Sequence, residues 1–170
     1  MLGVERNKVA LSSHNKDWAR QFQITQEELV SILGKNMLET YHVGSTAIKG
    51  IVAKPILDVA IVIKDISSLN ISGMEAVGYE YCGEHGEPGR FLFVKRRGEM
   101  STHHIHCYVE NHENFQTTIL FCKYLNEHHE YAKQYNDLKI ELASKYSDDR
   151  VAYTDGKSEF INMIIDLAKK

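Results

Sequence analysis

The sequence contains few of the residues that interrupt or cross-link a protein chain. Only two of its 170 residues are prolines, and it has no low-complexity stretch and no internal repeat. No linker between domains is therefore indicated. We predict a single domain over residues 1–170, a length that allows a chain to bury about 70% of its unfolded surface.

Cysteines and long hydrophobic runs are equally scarce. The three cysteines, Cys82, Cys107 and Cys122, are odd in number and lack C-x-x-C spacing. Their apolar neighbours favour reduced, buried thiols, which indicates a cytoplasmic protein. No apolar run approaches the ~18 residues of a membrane span, and residues 1–13 lack the apolar segment of a signal peptide. We expect no membrane attachment.

An excess of positive charge is also missing. The 20 basic and 23 acidic residues give a formal net charge of −3. We expect no nucleic-acid partner, because binding to nucleic acid draws on bulk positive charge. Any anion must instead be bound by a local group of residues. The sequence does not indicate an oligomeric state.

The hydrophobic pattern predicts helices and strands in a mixed order. A helix runs from Asp17 to Gly34, and a second, interrupted by Gly73, covers Ile66 to Val77. The predicted strands are Met37 to Val43, Pro55 to Ile63, Tyr79 to Cys82, Arg90 to Lys95, and Thr102 to Val109. Three amphipathic helices follow from Glu113 onward.

The strand from Pro55 to Ile63 carries one acidic residue among apolar ones. Its alternate residues Leu57, Val59, Ile61 and Ile63 share a face, so Asp58 points to the opposite side. A buried, unpaired carboxylate is costly. Asp58 should therefore meet a metal, a cation or hydrogen-bond donors, and a purely structural salt bridge is the alternative.

The preceding strand ends in a turn suited to phosphate. Gly44 has no Cβ to keep an anion from the backbone N–H groups, and the hydroxyl of Ser45 can donate a hydrogen bond. Thr46 completes the turn, whose alternative role is an ordinary helix cap. Lys54 could neutralise a phosphate or lie in solvent, and Arg90, at the start of a strand, could bind a planar anion or lie at the surface. Lys139 and Lys157 are weaker candidates for binding an anion, and we expect them to be solvated.

A pair of histidines lies on the last predicted strand. His104 and His106 point to the same side, because side chains alternate along a strand. They could bind a transition metal or donate hydrogen bonds to a phosphate. Hydrogen bonding within a polar sheet face is the alternative.

Together these motifs resemble the GrpB-like family, which is placed within the nucleotidyltransferase superfamily. The resemblance runs from about Trp18 to the C-terminus. It rests on His42-Val43-Gly44-Ser45-Thr46, Gly50, Ala53-Lys54-Pro55-Ile56, Asp58, Gly78-Tyr79, His104-Ile105-His106, Phe121, Tyr124-Leu125, Tyr135, Lys139, Tyr153 and Lys157. It implies a nucleotidyltransferase-like α+β fold, with a mixed central sheet flanked by helices and the C-terminal helices packed on it. It also implies a nucleotide-type pocket at Gly44, Ser45 and Asp58.

The chain departs from the wider superfamily in its carboxylates. A working nucleotidyltransferase has Gly-Ser followed by Asp-x-Asp and a third carboxylate, which hold Mg²⁺. Here Ala60 takes the second position, and His104 and His106 lie where a third ligand is expected. One Asp with two His suits Mn²⁺, Zn²⁺ or Fe²⁺ better than a pair of Mg²⁺ ions.

We therefore expect a nucleotidyltransferase-like protein that transfers a nucleotidyl or phosphoryl group to a small acceptor. Asp58 and Ser45 are the predicted catalytic residues, and a divalent metal, Mg²⁺ or Mn²⁺, is expected at Asp58, His104 and His106. The phosphates of a nucleotide triphosphate would be bound by the five residues Gly44, Ser45, Thr46, Lys54 and Arg90. Two alternatives stay open: a non-catalytic module that binds a nucleotide or a coenzyme-A-type ligand, and a single-metal hydrolase.

Overall fold

The computed structural model describes residues 1–6 and 8–170. The strands among them are β1 (Val4–Glu5), β2 (Met37–Val43), β3 (Leu57–Ile63), β4 (Tyr79–Glu84), β5 (Arg90–Arg97) and β6 (Met100–Val109). The α-helices are α1 (Asp17–Leu33), α2 (Ile71–Ala76), α3 (Glu113–Glu127), α4 (His129–Lys145), α5 (Arg150–Asp155) and α6 (Ser158–Ala168). Short 3₁₀ turns cover Gly34–Asn36, Ser45–Ala47 and Ile66–Ser68.

The strands form one mixed sheet in the order β2-β3-β6-β5-β4, and β1 pairs with the start of β6. The pair β3 and β6 is parallel, whereas the other pairs are antiparallel. Parallel pairing needs a long crossover connection, which α2, β4 and β5 supply between β3 and β6. The predicted α+β fold with a mixed central sheet is confirmed.

Strand β3 is the centre of the molecule, and both of its faces are covered. Leu57, Val59, Ile61 and Ile63 pack against α1 and α2, and none of these four side chains is exposed. Ala60 and Val62 pack on the other side, against α3, α4 and α6. A nearly continuous apolar strand is what a position between two helical layers requires. Asp58 is thus a single charged side chain in a strand that is otherwise buried.

The predicted elements agree with the structure except in three places. The predicted helix from Ile66 to Val77 is wrong as one element, because the carboxylate of Asp65 accepts a hydrogen bond from the Ser67 amide and the side chain of Asn70 accepts one from Gly73. Each cap starts its own short turn or helix. The two further differences are β1 and α5, which the hydrophobic pattern did not indicate. The predicted strand bounds differ from the observed ones by at most two residues.

The cysteine prediction holds in part. All three thiols are free, and Cys107 and Cys122 are buried. Cys82 is half-buried on β4, so the prediction that it is buried was wrong. Among the described residues, no helix combines the length and apolarity needed to cross a membrane.

Candidate functional site

The site is built around the carboxylate of Asp58. Its Oδ1 atom lies 3.2 Å from Nδ1 of His104 and 3.2 Å from Nε2 of His106. The parallel register pairs Asp58 with His104 and Ala60 with His106, so the three side chains share one face of the sheet. The structure therefore brings together the three residues predicted to hold a metal.

The three side chains fit a single divalent ion. One ligand atom from each lies within 4.8 Å of the other two, and all three side chains are partly accessible. Ions such as Zn²⁺ bind nitrogen and oxygen ligands at about 2.0–2.2 Å, which is compatible with this spacing. Burial alone would raise the pKa of Asp58, but hydrogen bonds from His104 and His106 outweigh it and hold that pKa well below its usual value. Asp58 is therefore ionised at neutral pH, the state in which a carboxylate can hold a metal ion.

The glycine turn closes directly on this carboxylate. Gly44 has a φ of 70°, which favours glycine, and a Cβ at this position would lie 2.7 Å from Oδ2 of Asp58. The antiparallel register of β2 and β3 places Val43 opposite Asp58, which fixes the approach. Glycine is required here both for the backbone conformation and for the space.

The next two residues of the turn have different surroundings. Ser45 lines the cavity beside the hydroxyl of Tyr135; burial raises the pKa of that hydroxyl, and hydrogen bonding with Ser45 moderates the rise. Thr46 is buried, with its Oγ1 2.9 Å from Nε2 of His42, whose ring stacks on Phe22. Burial lowers the pKa of His42 to about 4, so this imidazole is neutral near pH 7. The hydroxyl of Thr46 thus already has a hydrogen-bond partner within the fold. Its role in phosphate binding stays a prediction.

A group of cations lies on the wall of the cavity next to Asp58. The Nζ atoms of Lys54 and Lys157 lie 5.4 Å and 4.5 Å from the centre of the Tyr153 ring, within the range of a cation–π contact. Arg150 lines the same wall. We call Lys54, Arg150 and Lys157 the cationic wall.

The members of the cationic wall repel one another. Burial lowers the pKa of Lys157 to about 8, and the charge of Lys54 adds to the effect while Asp58 opposes it. The pKa of Lys54 is lowered as well, first by burial and then by the charge of Arg150. Such a group is stabilised by a bound anion, which would replace repulsion with attraction.

Two lysines that we expected to be solvated are not. Lys157 lines the cavity, and Lys139 is only 1% exposed, with its Nζ donating to the carbonyl of Val52 and lying 4.9 Å from the centre of the Tyr135 ring. Burial lowers the pKa of Lys139 to about 7. The expectation failed because it placed long basic side chains in solvent without regard to the helices that would cover them.

Arg90 also lines the cavity, but its guanidinium group is partly engaged. Its Nε donates to the carbonyl of His85 at 2.9 Å and lies 3.5 Å from a carboxylate oxygen of Glu87. All the predicted site residues thus border one cavity of about 690 Å³, within the range of roughly 300–1,000 Å³ that accommodates small ligands. Sequence reasoning did not assign Arg150 or the ring of Tyr153 to the site. The available signal was that Tyr153 and Lys157, four residues apart, are among the residues that carry the family resemblance.

The sequence of the chain matches the family described as GrpB protein over residues 8–167. The chain belongs to this family. The UPF0157 protein YqkA of Bacillus subtilis (strain 168) is 35% identical over 167 residues, which is 97% of this chain and 48% of YqkA. The glutamate-rich protein GrpB of Alkalihalophilus pseudofirmus is 33% identical over 171 residues, covering 97% of this chain and 98% of that protein. The chain thus spans about half of the first relative and nearly all of the second.

Solved structures agree with this assignment. The crystal structure of the conserved protein GrpB from Enterococcus faecalis has a TM-score of 0.87 at 32% identity, covering 94% of this chain and 96% of that one. The poly(U) polymerase Cid1, in complex with its short product ApU, has a TM-score of 0.52 at 11% identity, over 85% of this chain and 48% of Cid1. At that identity the likeness shows the fold alone. The predicted family and nucleotidyltransferase-like fold are confirmed.

Proposed function

We propose that the protein binds a nucleoside triphosphate and transfers its nucleotidyl or phosphoryl group to a small acceptor. The phosphate chain would lie between the Gly44-Ser45 turn and the cationic wall, and a single divalent ion would be held by Asp58, His104 and His106. The observation that carries the proposal is the opening of a carboxylate, two imidazoles and three cations onto one cavity.

The cationic wall supports an anionic ligand. Among residues 1–6 and 8–170, no carboxylate lies within 4.0 Å of a side-chain nitrogen of Lys54, Arg150 or Lys157. Asp58 is the acidic group that acts on both lysines from a longer distance. Three cations facing one carboxylate leave an excess of positive charge, which suits a chain of phosphates.

The acidic side of the site supports one ion rather than two. Catalysis by two ions requires carboxylates that bridge metals about 3.5–4 Å apart. Ala60 takes the second position and is fully buried, so no second ligand can come from β3. One carboxylate with two imidazoles suits Mn²⁺, Zn²⁺ or Fe²⁺. When bound, such an ion would offset the charge of the phosphates and polarise the bond to the phosphorus.

The proposed transfer balances without any redox partner. An acceptor oxygen forms a bond to the α-phosphorus for nucleotidyl transfer, and the bond from that phosphorus to the bridging oxygen breaks. Pyrophosphate leaves with the electron pair, and the acceptor's proton passes to water at the open end of the cavity. Lys157, Lys54 and the Ser45 hydroxyl would stabilise the charge on the phosphate oxygens during this step.

Binding can be tested by calorimetry with ATP, with and without MnCl₂. Lys157→Gln should weaken ATP binding by about tenfold or more, because a charge-assisted hydrogen bond is worth roughly 1.5–3 kcal/mol. Lys145→Gln is the matched control, since Lys145 lies 5.1 Å from the centre of the Tyr146 ring but outside the cavity. Equal ATP affinities for the two variants would contradict the proposed phosphate site.

Turnover can be tested by measuring pyrophosphate release from nucleoside triphosphates across a panel of alcohol and amine acceptors. Asp58→Asn keeps the shape of the side chain but removes the charge, so it should abolish metal-dependent release. Asp166→Asn serves as the matched control, because Asp166 is exposed on α6 and lies outside the cavity. Release that persists in Asp58→Asn would rule out this carboxylate as the metal ligand.

One observation favours a second candidate, a module that binds a nucleotide or coenzyme-A-type ligand without turnover. The buried Ala60 removes half of the carboxylate pair on which two-ion transfer depends. In that case thermal stabilisation by ATP would need no divalent ion, and Asp58→Asn would leave it intact. A hydrolase with a single metal would instead use water as the acceptor. Pyrophosphate release from ATP would then not depend on an added alcohol or amine, and the same assay distinguishes this case.

A further inference from the structure

The cavity extends well beyond the metal ligands. It continues over β5 and β4, where it is lined by Leu92, Val94, Cys82, Glu80 and Arg96. Because neighbouring strands lie about 4.7–4.9 Å apart, β4 is roughly 15 Å from Asp58 across the sheet. We call this part of the cavity the distal arm. The proposed phosphate site uses none of its residues.

The floor of the distal arm is apolar and begins next to the two histidines. In the antiparallel pair of β5 and β6, Leu92 lies opposite His106 and Val94 lies opposite His104. Side chains paired in this way have Cβ atoms about 4.5–5.5 Å apart. A molecule lying on Leu92 and Val94 would therefore present one end to the proposed reaction centre.

This apolar floor lies outside the core that the C-terminal helices form on the sheet. On this face of the sheet, the core formed with α3, α4 and α6 takes Val43, Ala60, Val62 and Tyr108 from β2, β3 and β6. Within the described part of the chain, that core includes no residue of β4 or β5. Leu92 is half-buried accordingly, and the space above it belongs to the cavity, whereas Val94 is only 5% exposed and borders that space with a small part of its side chain.

The far end of the distal arm is charged. Arg96 forms an ion pair with Glu80, and their side chains are 27% and 63% exposed. Glu80 lies opposite Val94 on β4, so the ion pair adjoins the apolar floor. Arg6 lines the same cavity, and its charge acts on the thiol of Cys82 on β4. Two guanidinium groups against the carboxylate of Glu80 favour an anionic group, and a planar carboxylate matches the donor fork of arginine.

We infer that the distal arm is the acceptor subsite of the proposed transferase. Its ligand class is a small hydroxyl compound with an apolar middle and a carboxylate at the opposite end. The hydroxyl would lie at His104 and His106, the apolar part on Leu92 and Val94, and the carboxylate at Arg96. As an acceptor subsite it rests on the proposed function, whereas binding of the small acid can be measured without a nucleotide.

The test uses the full chain and 4-hydroxyphenylacetate as the probe. Titration followed by amide chemical shifts should move the resonances of Leu92 and Val94, and 4-hydroxyphenylacetamide, which lacks the charge, should bind at least about fivefold more weakly. Equal affinity for the acid and the amide would contradict recognition of the carboxylate. Chemical-shift changes confined to the cationic wall would contradict binding in the distal arm.

Two variants separate recognition from a structural role of the ion pair. Arg96→Gln should weaken binding of the acid by about tenfold, whereas Glu80→Gln should strengthen it, because it frees Arg96 and removes a like charge. Both variants break the same exposed ion pair, which contributes little to stability. A purely structural pair would therefore shift the affinity in the same direction in both variants, and that result would overturn the subsite.

The same preparations separate this inference from the proposed function. ATP affinity should stay within about twofold of the wild type in Arg96→Gln and Glu80→Gln, because both residues lie outside the phosphate site. If ATP fails to bind the wild type while the acid binds with these opposite shifts, the transferase proposal falls and a small-acid site stands. If ATP binds in a Lys157-dependent way and the acid does not bind, the distal arm is rejected and the phosphate site stands.

Discussion

Gly44 is the residue at which the turn and the candidate metal ligand meet. Gly44→Ala would place a methyl group 2.7 Å from Oδ2 of Asp58, so the carboxylate would have to move. We expect loss of Mn²⁺ binding, measured by calorimetry, together with about 1–2 kcal/mol of destabilisation from a non-glycine residue at positive φ.

Gly50 provides the matched control for this prediction. Its φ is 77°, similar to that of Gly44, but an added Cβ would have no heavy atom within 4 Å. Gly50→Ala should therefore cost a similar free energy of unfolding while Mn²⁺ binding is retained. Loss of the metal in both variants would mean that backbone strain, rather than contact with Asp58, controls the site.

Lys139 predicts a pH dependence of stability. Burial, reinforced by the charge of Lys157, lowers its pKa from 10.5 to about 7. Between these values the unfolded chain binds a proton that the folded chain does not, so this residue favours folding increasingly as the pH rises. Below about pH 7 both states are protonated and the contribution is constant.

The measurement compares urea unfolding of the wild type and Lys139→Met at several pH values from 6 to 10. The free energy of unfolding of the wild type, minus that of the variant, should rise between pH 7 and 10 by no more than about 1.4 kcal/mol per unit. A difference that stays flat across this range would show that the lysine is charged in the folded protein.

The sequence predicted Asp58, His104 and His106 as site residues more completely than it predicted the cationic wall. Alternation along a strand is a local rule, so it placed His104 and His106 on one side and turned Asp58 away from the apolar face of its own strand. The expectation that Asp58 meets the two histidines came from the family resemblance, and the register of β3 with β6 brings them to one face. The approach of Lys54 to Lys157 and Tyr153 joins residues about a hundred positions apart, and it depends on how α5 and α6 pack on the sheet. No local pattern contains that information.

Helices α3 and α4 hold the segment between the turn and β3. Asn126 of α3 accepts a hydrogen bond from the Lys49 amide and donates one to the carbonyl of Ala47. On α4, Asn136 accepts from the Val52 amide at 2.8 Å, and Lys139 donates to the Val52 carbonyl. This segment leads directly into Lys54 and Asp58, so the helices position the site, and they also line it beside the turn through Cys122 and Tyr135.

Asn136→Ala should accordingly affect both folding and the site. The Val52 amide would lose its partner, at a cost of about 1–3 kcal/mol, and ATP binding should weaken because Lys54 follows two residues later. Glu141→Ala, at an exposed position on the same helix, is the control and should leave both quantities unchanged. Thermal melts and calorimetry with ATP check the two effects, and unchanged ATP affinity in Asn136→Ala would exclude the positioning role.

Element prediction succeeded where periodicity is long and failed where single polar side chains decide. The strand from Met37 to Val43 was predicted with its observed bounds, and α1 to within one residue. Between Ile66 and Val77 the apolar spacing suggested one helix, but the caps at Asp65 and Asn70 divide it. The two-residue β1 has no periodicity to detect, since its pairing with Ser101 and Met100 is entirely tertiary.

At the scale of the whole molecule, the N-terminal residues fasten distant parts of the fold. The Gly3 amide donates to the carbonyl of Pro55 at 2.7 Å, and Ser12 exchanges two backbone hydrogen bonds with Ala53. Val9 is buried in a small core with Leu142 and Tyr153. These contacts flank Lys54 on both sides in sequence and support the ring on which its ammonium group lies.

Removal of residues 1–12 should therefore destabilise the protein and weaken the site. Loss of the buried Val9 side chain alone is worth about 1.5–3 kcal/mol, which corresponds to a fall in Tm of roughly 3–12 °C for a chain of this size. Removal of the exposed pair Lys169 and Lys170 is the control and should leave Tm and ATP affinity unchanged. A truncated protein with the Tm of the wild type would contradict this role of the N-terminal residues.

The course of these first residues also decides how the protein should be purified. Arg6 reaches the cavity and Gly3 is bonded to Pro55, so a flexible polyhistidine peptide fused ahead of Met1 would begin within a few residues of the cavity, although Met1 itself lines a separate pocket with Trp18 and His103. Histidines of the added peptide would compete for the same ions, and the measured ratio of metal to protein would then not describe the site. An affinity handle attached after Lys170, where the last helix ends in solvent, keeps added histidines away from Asp58, His104 and His106 while metal binding is measured.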